Sequence, residues 1–290
     1  MYQKKYLIAI IIVTYKSSHL IQKTLSKINN KDFKIIIVDN GSNDDIKEVL
    51  SNNIKNNEVE FIAFENNCGF GRANNYALKK IDSDYALILN PDCFIDPESV
   101  NEMIHQMKKD KNIALANPLF VDDNYQKNAN DQGVEDISFV CGGAMMMRMD
   151  IFRKIGFFDE NIFLYAEDDE ISGRVKDFGY RSIIVKSATA NHHGSNSSLT
   201  KSNKDDYKLL YFRSYHSGWG KTYLKKRNRN TFRIVLKSIH RLFLSLYYLI
   251  FELNEKKSII RFGLFMGSMS NLLGIDCFNK NNKEIRLKLK

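Results

Sequence analysis

The sequence contains few prolines, glycines and cysteines, and this scarcity excludes several classes of protein. Its 290 residues include only 3 prolines and 15 glycines, and 43% are hydrophobic, which excludes disordered and collagen-like chains. The 4 cysteines lie far apart without a C-x-x-C pair, so neither a disulfide framework nor a zinc cluster is indicated. We interpret them as reduced thiols in a cytoplasmic protein. This length suits one large α/β domain, alone or with an appendage.

Long apolar runs are also absent from the sequence. No stretch of about 18 consecutive apolar residues occurs, so a membrane-spanning helix is not predicted. The run at residues 7–13 follows two lysines, lacks a small-residue cleavage site and leads directly into Thr14 and Tyr15. We therefore interpret it as a first strand and not as a secretion signal.

Short apolar runs alternate with helix-like segments over residues 7–120. This alternation is typical of strand–helix–strand units that build a mainly parallel sheet covered by helices on both faces. The predicted strands are 7–13, 35–38, 60–64, 85–89 and 113–116, and the predicted helices between them are 18–28, 46–54, 71–81 and 97–107. Further along we expect a loop at 122–135, a strand at 139–147, a helix at 167–178 and a strand at 181–185.

Polar residues follow the predicted strands where ligands bind in such sheets, beyond the carboxyl ends. Asp39 follows a fully apolar run, and its carboxylate can accept the ring N–H of a uracil or thymine base. Thr14 and Tyr15 could supply a hydroxyl and a stacking ring for the same nucleoside. The alternative for Asp39, Asn40 and Ser42 is an ordinary turn, since Asp, Asn, Gly and Ser are common turn formers.

The loop at residues 65–74 contains glycine and leads into a helix. Backbone N–H groups near Gly69 and the helix N-terminus favour a diphosphate, with Arg72 adding a charge-assisted contact. Asn67 and Asn74 belong to the same segment. The third glycine of a dinucleotide fingerprint is missing, and the sequence has no Walker-A motif.

The Asn90-Pro91-Asp92 segment follows the strand at 85–89. Mg²⁺ and Mn²⁺ prefer oxygen ligands, so Asp92 is a candidate to hold such an ion against phosphate oxygens. The alternative is a simple turn. His192 and His193 are further candidate ligands of a metal or a phosphate, or they are merely histidines at a strand end, which is the favoured interpretation of His192.

Four acidic residues open the predicted helix at 167–178. The macrodipole favours acids there without any function. The functional interpretation is that one of these carboxylates acts as a general base toward a hydroxyl. Gly142 and Gly143 would let a substrate approach the backbone, whereas the methionines after them are typical of a core.

The collinear order of these motifs resembles the family 2 glycosyltransferases with a GT-A fold, and within them the bacterial rhamnosyltransferase-type branch. The resemblance covers about residues 7–200. The motifs are Val-Thr-Tyr at 13–15, Val-Asp-Asn-Gly-Ser at 38–42, Glu-Asn-Asn-Cys-Gly-Phe-Gly-Arg-Ala-Asn-Asn at 65–75, Leu-Asn-Pro-Asp at 89–92, Gly-Gly-Ala at 142–144, Gly-Phe-Phe-Asp-Glu at 156–160, Glu-Asp-Asp-Glu at 167–170 and His-His-Gly-Ser at 192–195.

The resemblance implies inverting transfer of a sugar from a nucleoside diphosphate to an acceptor hydroxyl. It makes Asp168 the catalytic base, Asp39 the base-binding aspartate and Asp92 the metal-associated acid. We assign Glu167, Gly142 and Gly143 to the acceptor side. Asn90 stands where the first acid of an Asp-x-Asp motif is usual, Lys16 replaces an asparagine and Glu170 replaces a second aspartate.

The basic charge of the chain lies in its tail. Residues 201–290 hold 20 Lys and Arg against 6 Asp and Glu, whereas residues 1–200 hold 23 against 28. In the apolar segment 231–253, Arg233, Lys237 and Arg241 recur at i, i+4 and i+8, which suits a helix on an anionic membrane surface. Residues 259–275 suggest a second such element. The alternative is a helix that packs on the catalytic domain or in a homodimer, and nucleic acid is not expected as a partner.

We therefore expect a catalytic domain over residues 1–200 and a basic, mostly helical extension over 201–290. The hypothesis is an inverting glycosyltransferase that uses a dTDP- or UDP-linked sugar, with rhamnose favoured by the branch resemblance. Its acceptor would be a saccharide or a polyprenyl-linked saccharide at the inner face of a bacterial plasma membrane, for surface polysaccharide synthesis. The alternatives are a nucleotidyltransferase and a non-catalytic, membrane-associated protein that binds nucleotide sugars.

Overall fold

A computed structural model describes residues 6–28, 31–56, 58–122, 132–192, 207–227, 231–252 and 254–278. The strands are β1 (Ile8–Thr14), β2 (Phe33–Asp39), β3 (Glu60–Ala63), β4 (Tyr85–Leu89), β5 (Cys93–Ile95), β6 (Ile113–Val121), β7 (Val134–Asp136), β8 (Ala144–Arg148) and β9 (Arg181–His192). The helices are α1 (Ser18–Ile28), α2 (Ile46–Val49), α3 (Ser51–Lys55), α4 (Phe70–Leu78), α5 (Pro97–Lys109), α6 (Met149–Ile155), α7 (Glu167–Asp177), α8 (Tyr207–Arg227), α9 (Thr231–Ile250) and α10 (Glu255–Leu272).

The described strands form one mixed sheet in the order β3-β2-β1-β4-β8-β6-β9-β5, with β7 paired to β9. Strands β1 to β4 run parallel to one another, whereas β8 runs antiparallel to both of its neighbours, β4 and β6. The register pairs Thr14 with Asp39, so the polar residues that follow β1 and β2 leave the sheet side by side. The expected α/β architecture is confirmed, but the sheet that we expected to be mainly parallel is mixed, because β5, β7 and β8 pair antiparallel to their neighbours.

Strand β1 shows why helices cover both faces of the sheet. Ile10 and Ile12 point to one face, where they join a core with residues of α1 and α5. Ile11 points to the other face and joins a core with residues of α4 and α7. Because neighbouring side chains of a strand alternate between faces, a wholly apolar strand requires a layer of helices on each side.

Several bounds differ from the sequence-based expectation for reasons of tertiary packing. The expected helix at 46–54 is two short helices, since Leu50 ends α2 and begins α3. The expected strand at 139–147 begins only at Ala144, because Cys141 to Gly143 form a turn beside α7. Strand β9 continues past polar residues to His192 because β6 and β5 pair with its second half. Of the expected loop at 122–135, residues 123–131 lie outside the described residues.

The basic tail consists of three helices in the part of the chain that is described. Helix α8 packs against α10, and Trp219 Nε1 donates a hydrogen bond to the Ile275 carbonyl at 2.8 Å. Tyr223 donates to an Asp159 carboxylate oxygen at 2.9 Å, which attaches α8 to the segment before α7. None of the described helices is long and apolar enough to cross a bilayer. The expected boundary at residue 200 falls outside the described residues and stays a prediction.

The close contact between α8 and α10 depends on the absence of a side chain at Gly267. A Cβ atom at Gly267 would overlap the Tyr215 carbonyl oxygen and lie 2.8 Å from the Trp219 backbone nitrogen. We expect Gly267→Ala to lower the free energy of unfolding by about 1–3 kcal/mol, because the added methyl group forces the two backbones apart. Urea denaturation would measure the change.

The matched control is Gly173→Ala in the middle of α7, where an added Cβ would meet nothing within 4 Å. Alanine there should raise stability by roughly 0.5–1 kcal/mol, since glycine disfavours a helix interior. Equal effects of the two substitutions would show that the α8–α10 contact is not as tight as described.

Candidate active site

A cleft of about 490 Å³ lies at the carboxyl ends of β1, β2 and β4. The sequence-predicted residues that line it are Tyr15, Asn40, Asn67, Gly69, Asn90 and Asp92. A larger hollow of about 910 Å³ lies at the amino ends of β2 and β3, around Phe33 and Glu60, and none of the predicted site residues lines it. Because parallel sheets bind ligands at the carboxyl ends of their strands, the smaller cleft is the candidate active site.

Asn40 joins the loops that follow β2 and β3. Its Nδ2 donates to Asn67 Oδ1 at 3.1 Å, and its Oδ1 accepts from the backbone N–H of Cys68 at 2.9 Å. These bonds hold both loops in one wall of the cleft.

Three other predicted nucleoside contacts lie behind the cleft surface. Thr14 is fully buried, and its hydroxyl lies 3.5 Å from the Val38 carbonyl. Asp39 accepts from the backbone N–H of Ser42 at 3.0 Å, and the Ser42 hydroxyl accepts from the N–H of Lys16 at 2.9 Å. This arrangement shapes the turn, and the role of these residues toward a base stays a prediction.

The N-terminus of α4 is already engaged by protein groups. The N–H of Gly69 donates to Asn67 Oδ1 at 2.9 Å, and the N–H of Phe70 donates to the Phe163 carbonyl at 3.1 Å. Asn74 is fully buried and donates to the Phe70 carbonyl. These contacts occupy two of the backbone N–H groups that we expected to bind a diphosphate.

Arg72 lies away from the cleft lining. Its Nε donates to the Glu160 carbonyl at 2.8 Å, and its guanidinium lies 3.8 Å from the centre of the Phe278 ring. The arginine therefore holds together the segment before α7 and the end of the described tail.

Asp92 and His192 form an ion pair across the end of β4. The Nε2 atom of His192 lies 3.5 Å from Asp92 Oδ1, and Asp92 is almost fully buried. The bond to Asp92, and then one to Cys141, raise the pKa of His192 to about 9, so the ring carries a proton at neutral pH. Asn90 donates its N–H to the Gly143 carbonyl at 2.9 Å, which ties the same strand end to the glycine turn.

A metal site made by protein groups alone is not found among the described residues, since no three His, Cys, Asp or Glu side chains are grouped to hold an ion. His193 lies outside the described residues. Mg²⁺ is commonly bound by one or two carboxylates together with substrate phosphates and waters. Asp92 in the cleft wall fits that mode of binding.

Asp168 lies on the first turn of α7, against the turn that contains Gly142. Its Oδ2 accepts the Gly142 N–H at 2.9 Å, and a Cβ on Gly142 would lie only 2.6 Å from Oδ1. Burial raises the pKa of Asp168 to about 6, although the Gly142 N–H favours the charged form. A Cβ on Gly143 would lie 2.9 Å from the His192 ring, which lines the cleft. Asp168 is therefore not one of the residues that line the cleft, but it contacts the glycine turn that lies against His192, which does line it.

Glu167 differs from its neighbour because it is enclosed. Its Oε1 is buried without a hydrogen-bond partner among the described residues, and burial raises its pKa to about 8. Tyr165 and Ala166, which precede it, have left-handed backbone conformations with φ of 63° and 103°. Non-glycine residues in this region cost energy and persist only where packing enforces them, often at functional sites.

Other residues of the cleft wall were not among the predicted site residues. The additional lining residues include Phe163, Leu164, Tyr165, His192, Phe212 and Arg213. The first three directly precede the acidic motif, which was the only available signal for them. Phe212 and Arg213 belong to α8, where no local pattern indicates a site. The Nε of Arg213 is buried and has no hydrogen-bond partner within the described part of the chain.

The mixed sheet flanked by helices, with a cleft at the carboxyl ends of its parallel strands, is a GT-A fold. Solved structures with the same fold include the mannosyltransferase PcManGT from Pyrobaculum calidifontis in complex with GDP-Man and Mn²⁺ (TM-score 0.61, 11% identity, 94% of this chain and 88% of that one). Another is S. aureus TarS in complex with UDP-GlcNAc (TM-score 0.52, 14% identity, 92% of each chain). The expected GT-A fold is confirmed.

Residues 9–156 match the model of glycosyl transferase family 2, and the chain belongs to that family. It is thus a glycosyltransferase, as expected. A similar curated protein is the N-acetylglucosaminyl-diphospho-decaprenol L-rhamnosyltransferase of Mycobacterium tuberculosis, 20% identical over 74% of this chain and 87% of its own length. A second is a low-salt glycan biosynthesis hexosyltransferase of Haloferax volcanii, 24% identical over 58% of this chain and 61% of its own length.

The enclosed carboxyl group of Glu167 makes stability depend on pH. Its pKa is about 8 in the folded chain and near 4.5 when exposed, so ionisation favours the unfolded state as the pH rises between these values. Glu167→Gln removes this penalty. We expect the variant to gain about 2–4 kcal/mol of unfolding free energy over the wild type between pH 5 and pH 8, as measured by urea denaturation.

Asp169→Asn is the matched control, because Asp169 is exposed on the same turn of α7. Its stability relative to the wild type should vary with pH far less than that of Glu167→Gln, because the charge of Asp169 is only a minor cause of the raised pKa of Glu167. A Glu167→Gln variant whose advantage stays constant from pH 5 to pH 8 would contradict the enclosed position of Glu167.

Proposed function

We propose that this chain is an inverting glycosyltransferase in which Asp168 deprotonates a hydroxyl of the acceptor. The observation that carries the proposal is the position of Asp168 on the first turn of α7. There the Gly142 N–H orients its carboxylate at 2.9 Å, next to a cleft whose wall contains Asp92. The acceptor oxygen gives its proton to Asp168 and attacks the anomeric carbon on the face opposite the diphosphate. The bond from that carbon to the diphosphate oxygen breaks as the new bond forms, so one displacement inverts the carbon.

The electrostatics of the two acidic neighbours support different roles. A general base is most effective when its pKa lies near the working pH, and Asp168 with a pKa of about 6 is ionised at pH 7. Glu167, with a pKa of about 8, is mostly protonated there and can donate a hydrogen bond. We propose that Glu167, with Gly142 and Gly143, positions the acceptor while Asp168 accepts its proton.

The donor is proposed to occupy the cleft with its nucleoside toward Tyr15, Asn40 and Asn67. Its diphosphate would then lie toward Asp92, which would hold Mg²⁺ or Mn²⁺ together with phosphate oxygens. A divalent ion at this position would offset negative charge on the departing diphosphate. PcManGT, a structural neighbour, was solved with GDP-Man and Mn²⁺, which supports this assignment.

Arg213 is proposed as the cation that contacts the diphosphate. It lines the cleft, and its buried Nε lacks a partner among the described residues. The guanidinium of Arg72, by contrast, is held by the Glu160 carbonyl and the Phe278 ring. Arg213 therefore fits the role that the sequence analysis assigned to Arg72.

The proposed acceptor is a polyprenyl-linked saccharide, and the proposed donor is a dTDP- or UDP-linked hexose or rhamnose. Support comes from the mycobacterial relative, whose name gives a lipid-linked diphosphate acceptor and an L-rhamnosyl donor group. It also comes from similarity to poly-beta-1,6-N-acetyl-D-glucosamine synthase of Staphylococcus epidermidis, 30% identical over 35% of this chain and 26% of its own length. The proposed process is the synthesis of a surface polysaccharide at the inner face of the plasma membrane.

Asp168→Asn should separate binding from catalysis. The amide keeps the shape of the side chain but cannot accept the proton, so we expect turnover to fall at least ~100-fold while donor affinity stays within about threefold. Release of nucleoside diphosphate in the presence of acceptor, with calorimetric titration of the donor, would measure both quantities.

Two further results belong to the same experiment. Wild-type turnover should decline as the pH falls below about 6, because protonation removes the base. Asp169→Asn, with an exposed side chain on the same turn, should keep its turnover. Wild-type turnover in Asp168→Asn would remove this residue from the proposed role.

The two arginines can be compared directly. We expect Arg213→Ala to weaken binding of UDP or dTDP by about tenfold or more, because a charge-assisted contact to phosphate is lost. Arg72→Ala should weaken it by less than about threefold. Neither substitution should alter the weak binding of the free nucleoside, and a greater loss for Arg72→Ala would reverse the assignment.

A further inference from the structure

Helices α8 and α9 enclose a second hollow of about 440 Å³ that is strongly cationic. Lys221 and Lys225 of α8 face Arg233, Lys237 and Arg241 of α9 across it. None of the described residues that line the hollow is acidic. Five positive charges therefore share one small space without a protein carboxylate among them.

The cations of the hollow are close enough to act on one another. Burial lowers the pKa of Lys225 first, and the charges of Lys237, Arg241 and Lys221 lower it further. Arg241 is fixed in place, since it donates to the Ser268 hydroxyl at 2.7 Å and to the Leu264 carbonyl at 3.3 Å. This mutual repulsion would be relieved by an anion with several oxygen acceptors, such as a phosphate group.

An exposed apolar stripe on α9 runs next to this hollow. It comprises residues spaced three or four apart along the helix: Phe232, Leu236, Ile239, Phe243, Leu246, Tyr247 and Ile250. Phe232 is 74% exposed and Phe243 66% exposed. On a helix with about 3.6 residues per turn, the row Arg233, Lys237 and Arg241 lies between this stripe and the buried face that contains Ile234, Ser238 and Ser245.

We propose that the hollow between α8 and α9 binds the phosphate-bearing head group of an anionic phospholipid, with the apolar stripe of α9 lying in the bilayer interface. A free phosphate compound would use the cations but not the stripe of large apolar side chains beside them. An amphipathic helix with basic residues at the border of an aromatic and aliphatic face is typical of interfacial binding. The cations of the hollow thus complement the anionic head groups of a lipid surface, and the apolar stripe complements the hydrocarbon region beneath them.

The location of the hollow connects it to the cleft. Helix α8 carries Arg213 in the cleft wall, and Lys221 and Lys225 follow eight and twelve residues later on the same helix. At 1.5 Å per residue, the hollow lies about 12–18 Å from the cleft along α8. A head group bound there would hold the cleft near the membrane surface, which deepens the proposed use of a lipid-linked acceptor.

Vesicle co-sedimentation of the full chain tests the site without donor or acceptor, so its outcome is independent of turnover. The vesicles are phosphatidylcholine alone, or phosphatidylcholine mixed with phosphatidylglycerol. We expect binding to the mixed vesicles only, and we expect the double variant Lys225→Gln/Lys237→Gln to lower the partition coefficient about tenfold or more. The control Lys47→Gln/Lys55→Gln removes two exposed charges from α2 and α3 and should change it by less than about twofold.

Two further measurements sharpen the test. Phe232→Ser/Phe243→Ser should reduce binding to the mixed vesicles, because both side chains belong to the exposed stripe. Inorganic pyrophosphate serves as a soluble probe in thermal-shift assays. Equal losses in the two lysine double variants, or no loss in Lys225→Gln/Lys237→Gln, would overturn the proposal. Pyrophosphate binding that is lost in Lys225→Gln/Lys237→Gln, without any vesicle binding, would also overturn it, since the ligand of the hollow would then be a free phosphate compound.

Discussion

The short segment from Phe163 to Ala166 is held between the sheet and the tail, and the geometry of the site depends on that double contact. On the sheet side, the Phe163 carbonyl accepts the N–H of Phe70 at the start of α4. On the tail side, the His216 ring of α8 lies 4.8 Å from the Phe163 ring, and the absence of a side chain at Gly220 lets α8 approach Tyr165 closely. Left-handed backbone at Tyr165 and Ala166 persists because both sides are packed. Helix α7 starts immediately afterwards, so this segment sets where Asp168 lies.

Three acidic residues that are neighbours in space differ in their burial and in their interaction partners. Glu167, Asp168 and Asp92 are all withdrawn from solvent to some degree, but each meets a different partner. Asp92 has the protonated His192 ring, Asp168 has one backbone N–H, and the Oε1 of Glu167 has no hydrogen-bond partner among the described residues. The pKa of Glu167 rises more than that of Asp168 because Glu167 is buried more completely, and backbone hydrogen bonds offset only part of that effect. One helix start thus carries a protonated and an ionised carboxyl side by side at neutral pH.

Much of the sheet and one wall of the cleft were predictable, because they follow from local pattern. Runs such as 7–13 and 35–38 are apolar at every position, which indicates strands buried on both faces, and the polar loops after them must meet at one edge. Local pattern was not sufficient to place the side chain of Arg72. Its place at a helix start predicted a diphosphate contact, but Glu160 and Phe278, distant in sequence, hold its guanidinium. Arg213 gave no local signal, since α8 is packed on more than one side and its apolar residues do not form a single stripe.

Helix α8 also links the tail to the site in a way that composition alone does not suggest. A basic, apolar extension is easily viewed as an accessory that can be removed from a catalytic domain. Here the same helix supplies Phe212 and Arg213 to the cleft, covers Phe163, and carries Lys221 and Lys225 into the cationic hollow. A chain that ended at residue 200 would lack one wall of the cleft and the packing that keeps Tyr165 and Ala166 in their strained conformation. Loss of the tail would therefore disturb the position of Asp168 even with a fully soluble acceptor, through the backbone that precedes α7.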